Sequence, residues 1–289
     1  MEIATHIDAL RTEGERMAAA VAAASPDDPI PSCPEWTVRD LVHHMGGVHR
    51  WATGYVAEAR REQWDVDLVD VVDAWPDDRE LVPWFRAGYT GLADALDSAP
   101  DDLDCWTFLP APSPRAMWAR RQAHETAIHR VDAELATRDD ASLSPFDPEF
   151  AADGVDELLS CFLPRPRTRL RSDPPTTLGV SCTDADAAWH LRIGPDGVAT
   201  TPGGKQRSAT ATRRARSARR RPTSTSSSGA AAPPACSSIR VATRSCSSFS
   251  RRSTSAGPER AHGCVNRIGL PQETGMVVDA VVRRRPTSQ

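Results

Sequence analysis

Ser113-Pro-Arg-Ala-Met-Trp-Ala-Arg-Arg-Gln-Ala-His-Glu-Thr-Ala-Ile-His-Arg-Val-Asp-Ala-Glu-Leu135 is the stretch from which the fold can be read. Ser then Pro is a helix start: a Ser hydroxyl accepts from a free backbone N–H, and Pro tolerates the first helical position because its missing N–H would go unbonded there. The spacing predicts a helix over 114–137, with Met117, His124, Ile128, Val131 and Leu135 on one stripe. No glycine or proline interrupts it. A helix of that length must bury its stripe against other helices.

Three more such stretches precede it. Residues 3–25 carry Ile3, Ile7, Leu10, Met17 and Val21 at helical spacing, and Asp27-Asp28-Pro29 ends the run. Pro31–Thr37 reads as an extended connector. Thr37 then caps a second helix running to about Glu62, with Asp40 placed three residues on for a capping box. At 100° per residue, Leu41, Met45, Val48, Ala52, Tyr55 and Val56 fall within about 60° of one line, the core stripe. His43 falls on the solvent side, whereas His44 and His49 flank the stripe on opposite sides. A third helix spans roughly 79–98 with Leu81, Phe85, Tyr89, Leu92 and Leu96. Four long helices joined by such connections predict a mainly α protein built on an antiparallel four-helix bundle over 1–142. After Pro145 the pattern changes. Residues 150–163 read as a helix, 176–182 and 187–193 as strands, and Gly194-Pro-Asp-Gly197 as a turn before 198–201. Residues 150–203 thus read as the start of a small α/β domain.

The net charge of −4 averages two unlike parts. Residues 1–204 hold 18 Lys+Arg against 36 Asp+Glu, and 205–289 hold 17 against 3. An acidic globular part argues against nucleic-acid binding there. No stretch of 18 apolar residues marks a membrane span. The acidic N-terminus lacks a secretory pattern. Seven scattered cysteines without a CxxC pair fit a reducing cytoplasm. The tail, 204–289, has 15 Ser after residue 204 and one aromatic, Phe249. Such a composition reads as a disordered basic tail. A sharper reading is translation out of frame. Degenerate codons for Pro222–Pro233, read from the third base, can yield Asp-Leu-Tyr-Leu-(Phe/Leu)-Leu-Trp-Gly-Arg-Arg-Pro, and the same shift turns Val241–Ser250 into an amphipathic segment. Resequencing codons 198–206 decides between the two.

The strongest chemical pattern is Glu125-Thr-Ala-Ile-His129. Residues four apart on a helix stand one above the other, so a carboxylate and an imidazole there can clamp a divalent ion such as Zn²⁺. A third ligand must come from another helix, and spacing leaves His44 and His49 both open. Three protein ligands leave a coordination position free, as in catalytic sites. The same spacing also suits a solvated helix face or an intrahelical hydrogen bond. His124 reads as a core histidine, and His6, His190 and His262 as surface groups. Cys33 and Cys105 have no histidine at a nucleophile-activating spacing and read as incidental thiols.

Two longer motifs go further. Cys33-Pro-Glu-Trp-Thr-Val-Arg-Asp-Leu-Val-His-His44-Met-Gly-Gly-Val-His-Arg-Trp51 and Trp118-Ala-Arg-Arg-Gln-Ala-His-Glu125-Thr-Ala-Ile-His129-Arg-Val-Asp-Ala-Glu134 resemble signatures of the mycothiol-dependent maleylpyruvate isomerase family. Asp153-Gly-Val-Asp-Glu-Leu-Leu159 and Thr183–Gly197 resemble the start of that family's C-terminal domain, so the likeness spans about 1–203. It implies a DinB-like metal-binding bundle with His44, Glu125 and His129 as ligands, zinc as the common metal, and mycothiol as thiol cosubstrate. His49 is the reserve ligand. The implied activity is cis–trans isomerisation of a small keto-diacid by thiol addition and elimination. Mycothiol S-transfer to other electrophiles, or a non-catalytic metal-binding bundle, are the alternatives. Arg120 or Arg121 could hold a substrate carboxylate by a bidentate contact, although a surface salt bridge suits each better. The partners implied are a small molecule and mycothiol, with no nucleic acid and no membrane.

Overall fold

The structure is a computed structural model that describes residues 1–72, 74–137 and 143–203. About half of the described chain is helical. Helix α1 spans Ile3–Ala22, α2 Val38–Ala57, a single turn α3 Leu68–Val71, α4 Leu81–Ser98 and α5 Pro114–Leu135. A short antiparallel pair, β1 (Pro29–Ile30) and β2 (Cys33–Thr37), replaces the plain connector expected before α2.

The caps act as the sequence predicts. Thr37 accepts from the Asp40 N–H at 3.3 Å, while the Asp40 carboxylate accepts from the Thr37 N–H at 2.8 Å, a complete capping box. Ser113 accepts from the Ala116 N–H, with Pro114 at the first helical position. Helix α2 stops at Ala57, earlier than about Glu62, and Ala59 follows with φ 50°. That left-handed turn cannot continue a right-handed helix.

Helices α1, α2, α4 and α5 pack on one another around a core of Ile7, Leu10, Met17, Leu41, Met45, Phe85, Leu92 and Trp118. The packing is tight enough to exclude side chains. A Cβ on Gly46 would lie 1.9 Å from the Trp84 ring, and one on Gly14 2.7 Å from Tyr89. A second group of rings, Trp51, Tyr55, Trp106 and Trp118, stacks between α2, the loop before α5 and α5 itself, with Tyr55 4.9 Å from Trp118.

Helix α5 departs from its expected stripe. Met117 and His124 are buried, but Ile128, Val131 and Leu135 are only half-buried. The helix instead buries Gln122, Thr126, His129, Arg130, Asp132 and Glu134. Buried charges survive because they are paired. The Arg130 guanidinium, fully buried, donates to Glu13 at 2.7 Å, to Glu134 at 3.1 Å and to the Ser144 carbonyl at 2.9 Å. It also lies over the Phe146 ring.

The described residues divide into two compact units, one ending at Phe146 and one starting at Asp147. The second has helix α6 (Pro148–Asp156), a π-helical continuation Glu157–Phe162, and strands β3 (Thr176–Ser181), β4 (Ala188–Gly194) and β5 (Gly197–Pro202). The sheet is antiparallel throughout, in the order β3-β4-β5. Trp189 of β4 donates to Asp156 at 2.8 Å, and Thr200 of β5 to the Leu159 carbonyl, so the helical segment lies against the sheet. The basic tail, its out-of-frame reading, His262 and the last three cysteines all fall outside the described residues.

Candidate metal centre

Two helices and one hairpin build the centre. On α5, Glu125 and His129 are one turn apart. His129 Nε2 lies 3.4 Å from Glu125 Oε1. From α2, His44 Nε2 lies 3.9 Å from the same oxygen. The three ligand atoms fall within 4.8 Å of one another. Two ligands about 2.0–2.1 Å from a tetrahedral ion stand roughly 3.3 Å apart; the His129–Glu125 pair matches that spacing and the His44–Glu125 pair is somewhat wider. The donors suit the ion as well: two imidazoles and one carboxylate, with room for a fourth ligand. These residues could therefore hold a divalent metal.

The surroundings aim each ligand. The His129 Nδ1 is 2.8 Å from Asp132 Oδ2, which turns Nε2 toward His44 and Glu125. Asp132 is itself held by Ser32, whose hydroxyl donates to Oδ1 at 2.5 Å. The Arg121 guanidinium donates to Glu125 Oε2 and leaves Oε1 for the centre. From β2, the Trp36 ring lies 4.9 Å from the His44 ring and stacks on the His129 ring at 6.3 Å.

Electrostatics follow from these contacts. Burial opposes charge on Glu125, yet Arg121, His129 and His44 outweigh it and hold the carboxyl well below its ordinary range. Burial likewise disfavours a charged His129, but the hydrogen bonds to Asp132 and Glu125 prevail and push its pKa up to about 10. His44 moves the other way, below 6.5, because desolvation and the neighbouring His129 overcome Glu125. Without metal at neutral pH, the centre holds a carboxylate, an imidazolium and a neutral imidazole.

The structure separates the histidines that spacing left open. His49 is fully buried, with Nε2 2.9 Å from Thr126 Oγ1, and burial lowers its pKa to about 3. It lies outside the cluster of three. His43 is not on a solvent face: its ring stacks on Trp75 at 4.7 Å and meets Trp84 edge-on. Those rings arrive from segments that α2's own periodicity cannot see. His6 is buried, not at the surface, and packs edge-on against His124, 5.8 Å between rings. His190 is exposed, as expected. Cys33 is half-buried, and Cys105 is buried. Burial and then the Asp132 charge push the Cys33 thiol up, so it stays protonated. Arg121 pairs with Glu125 with only 11% of its side chain exposed, so this ion pair is largely buried and not at the surface. Sequence reasoning missed Asp132, Ser32 and Trp36. The His129/Asp132 spacing of three, one helix face, was the available signal; nothing in sequence pointed to Ser32.

The family model of the mycothiol maleylpyruvate isomerase N-terminal domain matches residues 7–134. Residues 7–134 thus resemble that family's N-terminal domain. The matched segment contains all three candidate ligands, and the family it matches is in general mycothiol-linked and metal-binding. No curated protein and no solved structure matches the chain. Among the described residues no helix is long and apolar enough to cross a membrane.

Proposed function

We propose that this protein is a metal- and mycothiol-dependent enzyme that isomerises a maleylpyruvate-like keto-diacid. In this reading the thiolate of mycothiol adds to the cis double bond, the new single bond rotates, and elimination of the thiolate leaves the trans product. The observation that carries the proposal is the convergence of His44, Glu125 and His129 from two helices inside the segment that matches the family. We also propose that the four long helices form a DinB-like antiparallel bundle over 1–142, and that 150–203 open the family's second domain. The unpaired thiols of Cys33, Cys105 and Cys182 favour a reducing, cytoplasmic setting.

A divalent metal, zinc in this proposal, would supply when bound a Lewis-acid position that lowers the pKa of a thiol. His44, Glu125 and His129 would hold it. Arg121 keeps Glu125 ionised and turns Oε1 inward. Trp36 packs against both imidazoles and walls one side of them. S-transfer from mycothiol to other electrophiles is the second reading. It is favoured by the extent of the match, which ends at residue 134 and covers a thiol-and-metal domain without distinguishing the electrophile.

The test is turnover of maleylpyruvate by zinc-loaded full-length protein with and without mycothiol. Mycothiol-dependent turnover that is lost in His44→Ala supports the isomerase. Metal-loaded protein that alkylates mycothiol with an added electrophile but leaves maleylpyruvate unchanged replaces it with the transferase.

A further inference from the structure

Metal ligands alone do not make a site. An imidazole can rotate and can carry its proton on either nitrogen, and a neutral imidazole binds through the nitrogen that lacks one. At His129 the structure removes that freedom. Its side chain is only 5% exposed, and Asp132 occupies Nδ1 at 2.8 Å. A carboxylate there accepts the Nδ1 proton, so the Nε2 lone pair is the one available for a metal. Asp132 cannot itself rotate freely, because its other oxygen accepts the Ser32 hydroxyl at 2.5 Å. Ser32 sits between β1 and β2, and β2 carries Trp36 onto the His44 and His129 rings. The chain of contacts therefore runs from the hairpin through Ser32 and Asp132 to His129 Nε2.

We propose that Asp132 is the positioning residue of this centre, aiming Nε2 of His129 at the metal, and that Ser32 fixes Asp132 and thereby the hairpin that carries Trp36. This rests on the proposed metal centre. It assigns Asp132 no place among the ligands, since both its oxygens are engaged by Ser32 and His129. Glu125 has an equivalent helper in Arg121, so each α5 ligand has one partner that takes its outward atom and leaves the inward atom free.

The test measures zinc affinity by competition with a chromophoric chelator, together with the visible absorption of the cobalt-substituted protein. The full chain is used for wild type and for Asp132→Asn, Asp132→Ala, Ser32→Ala and Ser32→Thr. Loss of a carboxylate that orients a ligating histidine weakens metal binding by about 10–100-fold. Asp132→Ala should show that loss, with cobalt bands displaced. Asp132→Asn keeps the shape and an accepting oxygen without the charge, so it should fall between wild type and Asp132→Ala. Ser32→Ala should weaken binding several-fold, and Ser32→Thr should restore it. A merely structural Asp132 would lower the melting temperature and leave the cobalt spectrum in place. Folded Asp132→Asn and Asp132→Ala proteins with wild-type zinc affinity and cobalt bands overturn the positioning role. A wild-type protein that binds neither metal overturns the metal centre itself, and this proposal with it.

Discussion

Metal binding to this centre should be coupled to release of a proton, and the structure sets the size of the effect. The perturbation is pH. Without metal, Asp132 and Glu125 hold His129 protonated, with a pKa pushed up to about 10 against burial. His44 is already neutral above 6.5 and Glu125 is already ionised, so neither has a proton to give. A metal at Nε2 must displace the His129 proton. Affinity should then rise at least tenfold for each pH unit below 10, which from pH 6.5 to 8.5 is 100-fold or roughly 3 kcal/mol. Calorimetric titration in two buffers of different ionisation enthalpy counts the protons directly. At pH 7 the count should be at least one per metal. A zinc affinity that is flat between pH 6.5 and 8.5, with no buffer dependence of the heat, refutes the assignment of an imidazolium to His129.

The metal-free protein should be most stable near pH 6.5. The raised His129 contributes stability that is complete below 6.5 and is lost as pH rises through 10, whereas the depressed His49 costs stability as pH falls from 6.5 toward 3; melting temperatures at pH 4.5, 6.5 and 9 check both arms. Two glycine substitutions should have opposite signs. Gly46→Ala drives a methyl into Trp84 and should cost about 1–3 kcal/mol, while Gly91→Ala meets no atom within 4 Å and should stabilise α4 by about 0.5–1 kcal/mol, both read by denaturant melts. Arg130→Ala leaves Glu13 and Glu134 buried without their cation and should cost about 3–5 kcal/mol in the same assay.

Helix boundaries were legible in the sequence wherever a cap announced them. Thr37 with Asp40 and Ser113 with Pro114 start their helices where the residues say. The α4 stripe was legible too, because Leu81, Phe85, Tyr89, Leu92 and Leu96 are all apolar and all buried. On α5 the periodicity misleads. Hydrophobic spacing scores each residue alone, whereas Arg130 and Glu134 are buried as a pair completed by Glu13 of α1, more than a hundred residues away. The same limit explains the histidines. His44 and His49 flank the α2 stripe symmetrically, and only Thr126 on one side and Glu125 with His129 on the other tell them apart. His43 was misplaced because Trp75 and Trp84 shelter it from outside its own helix. Family-length motifs supplied what spacing could not, pointing to His44, Glu125 and His129 together.

The most direct test of the account is the zinc content of the purified full-length protein, measured after dialysis against metal-free buffer with one equivalent of zinc added. One zinc per chain is expected in wild type, His43→Ala and His49→Gln. That zinc should be lost in His44→Ala, Glu125→Ala and His129→Ala. Retention of zinc in the folded His129→Ala and Glu125→Ala proteins, or a zinc-free wild type, would contradict it.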